Sequence, residues 1–173
     1  MNLNDFKMGY VLAYKSTGSL FNRLIVKRQL AAGFAEEQAQ YVHVEISGGE
    51  RHSIDISPPI SKLIDITKVH RGRYVKVLKL NTDDFYMKRY KVAYFSASLC
   101  NKVYDFSGVL SFLLKWITHN NRLYFCSEGV AWAFNMVYNK LFLEPNKVMP
   151  ANYLTSAHFE TVWEGIIEEA KET

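Results

Sequence analysis

One cysteine of the chain stands where a nucleophile is expected. Cys126 follows the apolar, strand-like run LYF and opens the segment CSEGVAWAF, which is typical of a helix start. At a helix N-terminus, the macrodipole and the unpaired N–H groups lower the pKa of a thiol and can stabilise an oxyanion formed beside it. The alternative is a buried, unreactive thiol, because free cysteines are often buried as small apolar residues.

A nucleophilic thiol needs a base, usually a histidine, and a polar group that orients the base. His43 is the candidate base. In the run YVHVEI, residues 41–46, strand alternation places His43 and Glu45 on one face and the apolar residues on the other. The alternative for His43 is a structural ring bonded to a backbone carbonyl. His52, close to a turn, is the weaker candidate.

The orienting group is expected from the next strand. Asp55 is a polar residue between two isoleucines, and the hairpin register decides whether it reaches His43, because cross-strand neighbours lie about 4.5–5.5 Å apart at Cβ. Glu45 competes for this role, but two residues along the same strand its side chain is expected to point parallel to His43. A solvated carboxylate is the alternative for either residue.

A strand-rich first half and a helix-rich second half must position these residues. Strands are predicted at residues 8–14, 41–47, 51–57 and 73–80, with a hairpin turn at Gly48-Gly49-Glu50 and a stop at Pro58-Pro59. Helices are predicted after Ser19, after Thr82-Asp83-Asp84, over residues 106–117 and from Cys126. The pattern predicts an α+β fold in which a central antiparallel sheet packs against helices.

Two of these helices have a predicted buried stripe. The stripe of the helix after Asp84 is formed by Tyr86, Tyr90, Ala93, Ala97 and Cys100, and the stripe of the last helix by Val130, Phe134, Val137 and Leu141. Cys100 is therefore expected to be a buried, unreactive thiol, in contrast to Cys126.

Length and composition restrict the class of protein. With 173 residues, 49% hydrophobic and 22% charged, the chain fits one globular domain over residues 1–173 and excludes a disordered, collagen-like or coiled-coil chain. Two cysteines are too few for a disulfide scaffold or a structural zinc site. The first ten residues lack a signal-peptide pattern, and Lys115 interrupts the longest apolar run, so a cytoplasmic protein is expected.

Together these segments resemble the circularly permuted branch of the papain-like NlpC-type superfamily, which includes YiiX-like bacterial proteins and the lecithin retinol acyltransferases. The resemblance runs from about residue 8 to residue 163. Its parts are the histidine strand YVHVEI, Asp55 twelve positions after His43, Tyr104-Asp105-Phe106, the motif FCSEGV at residues 125–130, and MPANYL at residues 149–154 with Phe159. Gly9-Tyr10 departs from the glycine-aspartate pair that is frequent at the first strand of the family.

The resemblance implies a permuted papain-like fold and a cysteine hydrolase that works through a thioester. Cys126 would be the nucleophile, His43 the base and Asp55 the residue that orients the base, without a metal or organic cofactor. Tyr104, or alternatively Tyr124, would help stabilise the oxyanion. The substrate would be a small peptide or amide, or else an acyl lipid held in an apolar pocket, with Phe106, Leu110, Phe112, Leu113 and Trp116 as candidate lining.

A catalytically idle module that binds an anionic partner is the alternative of another class. The net charge is +4, and basic residues cluster on two predicted helices, at Arg23, Lys27 and Arg28 and at Lys88, Arg89 and Lys91. Asp83 and Asp84 lie beside the second cluster, and no motif for stacking on RNA bases is present. We therefore expect no obligate nucleic-acid partner, and the sequence makes no prediction of oligomeric state.

Overall fold

A computed structural model describes residues 5–105 and 125–168 of the chain. The helix predicted at residues 106–117, the candidate pocket lining within it and Tyr124 lie outside these described residues. The comparison of prediction and structure therefore concerns the two described segments.

A six-stranded antiparallel sheet forms the centre of the fold, in the order β4-β3-β2-β1-β5-β6. Its strands are β1 (Val11–Lys15), β2 (Tyr41–Gly49), β3 (His52–Asp55), β4 (Lys62–Asp65), β5 (Tyr74–Leu80) and β6 (Phe159–Ile166). The alternating β-branched residues of β1, β2 and β5 place these strands in the buried middle of the sheet.

The helices pack against this sheet and against one another. They are α1 (Leu20–Ala31), α2 (Glu36–Ala39), α3 (Ile66–Val69), α4 (Phe85–Ala97), α5 (Cys126–Tyr138) and α6 (Pro150–Thr155), with a 3-10 turn at Pro145–Lys147. Strand β2 contacts α1, α2, α4, α5 and α6. The predicted α+β class with an antiparallel sheet packed against helices is confirmed. Within residues 5–105 and 125–168, no helix has both the length and the apolar character needed to span a membrane.

Local signals located most of these elements. Ser19 caps α1 as predicted, since its hydroxyl accepts a hydrogen bond from the N–H of Asn22 at 3.2 Å. The cap predicted before α4 differs, because Asp84 precedes the helix without a capping hydrogen bond and pairs instead with Lys88. Strands β4 and β6 were not predicted, because β4 has only four residues and much of β6 is exposed at the sheet edge.

The predicted stripe of α4 is correct at Ala93 and wrong at its other helical positions. Tyr86 and Tyr90 are 51% and 53% exposed and Ala97 is exposed, whereas the buried residues are Phe85, Val92, Ala93 and Ser96. The neighbours of α4 decide this face, because the helix packs on α5 and on strands β2 and β3. Cys100 lies beyond the end of the helix and is only half-buried, and burial raises its pKa.

The stripe of α5 agrees at its first two positions. Val130 and Phe134 are fully buried and Val137 is half-buried. Leu141 lies outside the helix, which ends at Tyr138 because Asn139 takes a left-handed backbone conformation with φ of 41°.

Candidate active site

Cys126 and His43 come together where helix α5 begins. Cys126 is the first residue of α5, its side chain is 6% exposed, and Phe125 before it is extended. Its side chain lies near enough to the imidazole of His43, the third residue of β2, to raise the pKa of that ring. Both residues line one cleft of about 400 Å³, together with Asp55 and Tyr104. The four predicted site residues therefore surround the same space.

Two carboxylates contact the other side of the imidazole. Nε2 of His43 lies 3.1 Å from Oδ1 of Asp55 and 3.0 Å from Oε1 of Glu45. Strand pairing explains the first contact. Ile46 pairs with Ile54 on β3, so the next residue of β3, Asp55, lies opposite Glu45 and diagonal to His43. The expectation that Glu45 would stand parallel to His43 and miss its ring is wrong, because its carboxylate contacts Nε2.

These neighbours favour the charged form of His43. Burial by itself lowers the pKa of the ring. The charge of Cys126 and the hydrogen bonds from Asp55, Cys126 and Glu45 outweigh burial, and the pKa of His43 rises well above its usual 6.5. A carboxylate oxygen only accepts, so Nε2 carries a proton, and the ring nitrogen left for the thiol is Nδ1. The arrangement fits a protonated imidazole beside the side chain of Cys126.

Glu45 is the centre of a buried polar cluster that sequence analysis did not predict. Its Oε1 accepts from Nε2 of His70 at 2.6 Å, and its Oε2 accepts from the hydroxyls of Tyr14 at 3.2 Å and Ser53 at 2.5 Å. Burial alone would raise the pKa of Glu45, but the hydrogen bonds from His43 and His70 outweigh burial and hold this pKa far below its usual range. Glu45 is therefore a stabilised carboxylate.

Sequence gave unequal signals for the members of this cluster. Tyr14 pairs with His43 across β1 and β2, so a correct strand pairing would have found it. His70 follows α3 in a turn, and its contact with Glu45 spans 25 positions, so no local pattern points to it. Arg73 joins the cluster by placing Nη1 3.3 Å from Nδ1 of His70 and its guanidinium over the ring of Tyr14.

Buried hydrogen bonds fix the first turn of α5. Ser127 donates from its hydroxyl to the carbonyl of Val148 at 2.6 Å, and Tyr153 of α6 donates to the carbonyl of Ser127 at 2.7 Å. Burial and the charge of Cys126 raise the pKa of Tyr153, so its hydroxyl remains a donor. First-turn N–H groups of a helix have no intrahelical partner, and here they lie next to the thiol.

A buried glutamine fixes the start of β2. Nε2 of Gln29 on α1 donates to the carbonyls of Ala39 and Tyr41 at 2.8 and 2.9 Å, and its Oε1 accepts from the N–H of Ala151 at 2.8 Å. These bonds join α1, β2 and α6 two residues before His43, so the position of the imidazole depends on all three elements.

Both polar and apolar side chains line the cleft. Its polar side chains include Asp55, Ser57, Lys62, His70 and Arg73, and its apolar ones include Phe21, Ile25, Val42 and Val69. A narrow apolar space of about 20 Å³ extends beside Cys126, between Ile25, Val42 and Pro150. A substrate could therefore place an apolar group beside the sulfur and a polar group toward Lys62.

The cluster of His43, Glu45 and Asp55 also contains side chains that can bind a metal ion. One ligand atom each of His43, Glu45 and Asp55 lies within 4.8 Å of the others. The two oxygens of Glu45, however, already accept four hydrogen bonds, which is the capacity of a carboxylate. A cation bound there would have to displace His43 or His70 from Glu45, so the donor set fits a positioned imidazole better than a metal centre.

Comparison with known proteins identifies no relative from which a function could be inferred. No protein-family model matches the chain, and no curated protein matches it either. The resemblance to permuted papain-like proteins therefore stays a prediction from the sequence, and any function must be argued from the cleft.

Proposed function

We propose that the chain is a cysteine-dependent hydrolase that cleaves amide or peptide bonds through a thioester on Cys126. The contacts of His43 carry the proposal, because the ring meets the Cys126 thiol on one side and two carboxylates on the other. A buried cysteine with a purely structural role packs as a small apolar residue and does not require a neighbouring imidazole that carboxylates hold in one tautomer. The proposal includes a permuted papain-like fold, a single domain and a cytoplasmic location.

The two half-reactions follow from this arrangement. His43 takes the thiol proton of Cys126, and the sulfur attacks the substrate carbonyl carbon. The oxyanion forms close to the first-turn N–H groups of α5. The His43 imidazolium then protonates the leaving amine, and the acyl group stays on sulfur as a thioester. In the second half-reaction, His43 takes a proton from water, and the hydroxyl oxygen attacks the thioester carbon. The carbon–sulfur bond breaks, the acid product leaves, and His43 returns the proton to the sulfur of Cys126.

An acyl lipid is the second candidate substrate. The cleft of about 400 Å³ supports it, because an acyl chain there would bury the apolar side chains Phe21, Ile25 and Val42. The same chemistry then transfers the acyl group to water or to another acceptor.

A binding module for an anionic partner has less support. Arg23 donates to the carbonyl of Gly18, Lys88 pairs with Asp84, and Arg89 donates to the hydroxyl of Tyr90. These basic side chains are engaged locally, whereas the histidine and cysteine meet in the cleft.

Alkylation by iodoacetamide tests the proposal. The rates at Cys126 and Cys100 are measured by peptide mass spectrometry from about pH 5 to about pH 9, in wild type, His43→Ala and the exposed control His158→Ala. We expect Cys126 to react rapidly near pH 6, Cys100 to react slowly, and only His43→Ala to abolish the low-pH reaction.

A wild-type Cys126 that reacts only with an apparent pKa near about 8.5 would overturn the catalytic proposal. Salt-sensitive binding of nucleic acid would then favour the binding module. Where the low-pH reaction is present, a panel of amides and fatty-acyl esters distinguishes the two substrate classes. Reactivity that is lost with a chelator and restored by a divalent cation would instead indicate a metal site at His43, Glu45 and Asp55.

A further inference from the structure

Two carboxylates share one proton of the proposed base. Nε2 of an imidazole carries at most one hydrogen, and both Asp55 and Glu45 lie within hydrogen-bond distance of this atom. Asp55 is anchored by Ser57, whose hydroxyl donates to its Oδ2 at 2.6 Å. Glu45 is anchored more extensively, because three further donors converge on it from β1, β3 and the turn after α3.

The protonation of His70 follows from its contacts. A guanidinium can only donate, so Nδ1 of His70 accepts from Arg73 and carries no proton. The ring hydrogen must then be on Nε2, where it is donated to Oε1 of Glu45. Arg73 is itself held by a bond from Nη2 to the carbonyl of Lys15 at 3.1 Å. A chain of directed hydrogen bonds thus runs from β1 through Arg73 and His70 to Glu45.

A buried carboxylate is costly unless its charge is used or compensated. Glu45 is fully buried, and the four donors around it fill its acceptor positions. Tyr14 and Ser53 hold Oε2 of this carboxylate, and His70 holds Oε1. Their common effect is to fix the one oxygen, Oε1, that contacts His43.

We infer that Glu45 is a second positioning residue for His43, held in place by His70, and that it acts together with Asp55 on the same Nε2 hydrogen. This inference rests on the proposed function, since it concerns the base of that reaction. Loss of one charge leaves the other beside Nε2, whereas loss of both leaves the hydrogen without a charged acceptor. Each carboxylate therefore supplies part of the stabilisation of this hydrogen, and neither replaces the other in full.

The groups that face His43 come from several elements. They are Cys126 from α5, Asp55 from β3, Glu45 from its own strand, Tyr14 from β1, His70 after α3, and Tyr104, with Lys62 and Arg73 elsewhere in the cleft. Only Asp55 and Glu45 contact Nε2 among the described residues. A change in the pH profile of Cys126 can thus be assigned to these two carboxylates by substitution.

The test compares Glu45→Gln, Asp55→Asn and the double variant in the alkylation assay. Each single variant should lower the pKa of His43 and so slow the alkylation of Cys126 at pH 6. The rate should fall about tenfold for each unit by which this pKa falls. The double variant keeps amide oxygens that accept from Nε2 but no charge, so it should react more slowly at pH 6 than either single variant. Glu160→Gln and Asp84→Asn, which alter exposed carboxylates, should behave as wild type. A Glu45→Gln variant with the wild-type pH profile would overturn the inference.

A measurement on the unaltered protein decides the question if Glu45→Gln does not fold. In wild type labelled with 15N-histidine, the Nε2 hydrogens of His43 and His70 point at the same oxygen, so a nuclear Overhauser effect should join them. Absence of that effect, with the His70 hydrogen found on Nδ1, would contradict the inference. Failure of the proposed function is a different result, because wild type would then lack low-pH alkylation altogether.

Discussion

His43 and Glu45 are two residues apart on β2, and Oε1 of Glu45 lies 3.0 Å from Nε2 of His43. Residues at this spacing share a face of the sheet, and their side chains ordinarily stand parallel. Here His70, Tyr14 and Ser53 hold the carboxylate in the position that reaches the ring. Glu45 thus holds the imidazole at Nε2, and the rest of the ring remains available to Cys126.

The His43→Ala variant should lose stability in a defined pH range. The pKa of His43 is raised in the folded state, so its contribution is fully present below about 6.5 and is lost as pH rises through the folded pKa. The pKa of Glu45 is lowered, so its contribution is present above about 4.3 and is lost as pH falls through the folded pKa. The difference in unfolding free energy from wild type should be largest between these values.

Urea unfolding at about pH 5.5 and about pH 9 measures that difference. His158→Ala serves as the control, because His158 is exposed. A difference between wild type and His43→Ala that is the same at both pH values would contradict the predicted linkage.

Tyr104→Phe should separate the chemistry from the activation of the thiol. Burial and the charges of Cys126, Asp55 and Asp105 raise the pKa of Tyr104, so its hydroxyl stays protonated in the cleft. If it donates to the oxyanion, the variant should lose about 10²-fold in kcat. Alkylation of Cys126 at pH 6 should stay near the wild-type rate, because His43 is unchanged.

The exposed Tyr90 provides the matched control as Tyr90→Phe. Equal kcat for wild type and Tyr104→Phe, on a substrate that requires Cys126, would remove Tyr104 from the oxyanion site. The first-turn N–H groups of α5 would then be the remaining donors.

Gly9→Ala should destabilise the protein more than Gly18→Ala. Both glycines have positive φ, 84° and 82°, so either alanine costs about 1–2 kcal/mol of backbone strain. Only at Gly9 would the new Cβ collide with another element, at 2.5 Å from the carbonyl oxygen of Arg89 on α4. Thermal and urea unfolding of the two variants test this, and equal losses of stability would show that α4 moves aside freely.

The chemistry of the site was readable from local sequence. Cys126 follows an extended residue and starts a helix with buried Val130 and Phe134, so its position at a helix N-terminus was predictable. The alternation around His43 gave its strand, and the Gly48-Gly49 turn predicted the hairpin that contains Asp55. Residue types and short periods determine these features, because they depend on neighbours within a few positions.

Tertiary structure decided what surrounds the imidazole. The contact of His43 with Cys126 spans more than eighty positions, and His70 reaches Glu45 from a turn with no helical or strand period. The exposed tyrosines of α4 show the same limit, because packing on α5, β2 and β3 chose another face of that helix. Sequence thus determined which groups could react, whereas the pairing of strands and the packing of helices determined which of them meet, since those distances depend on long-range contacts.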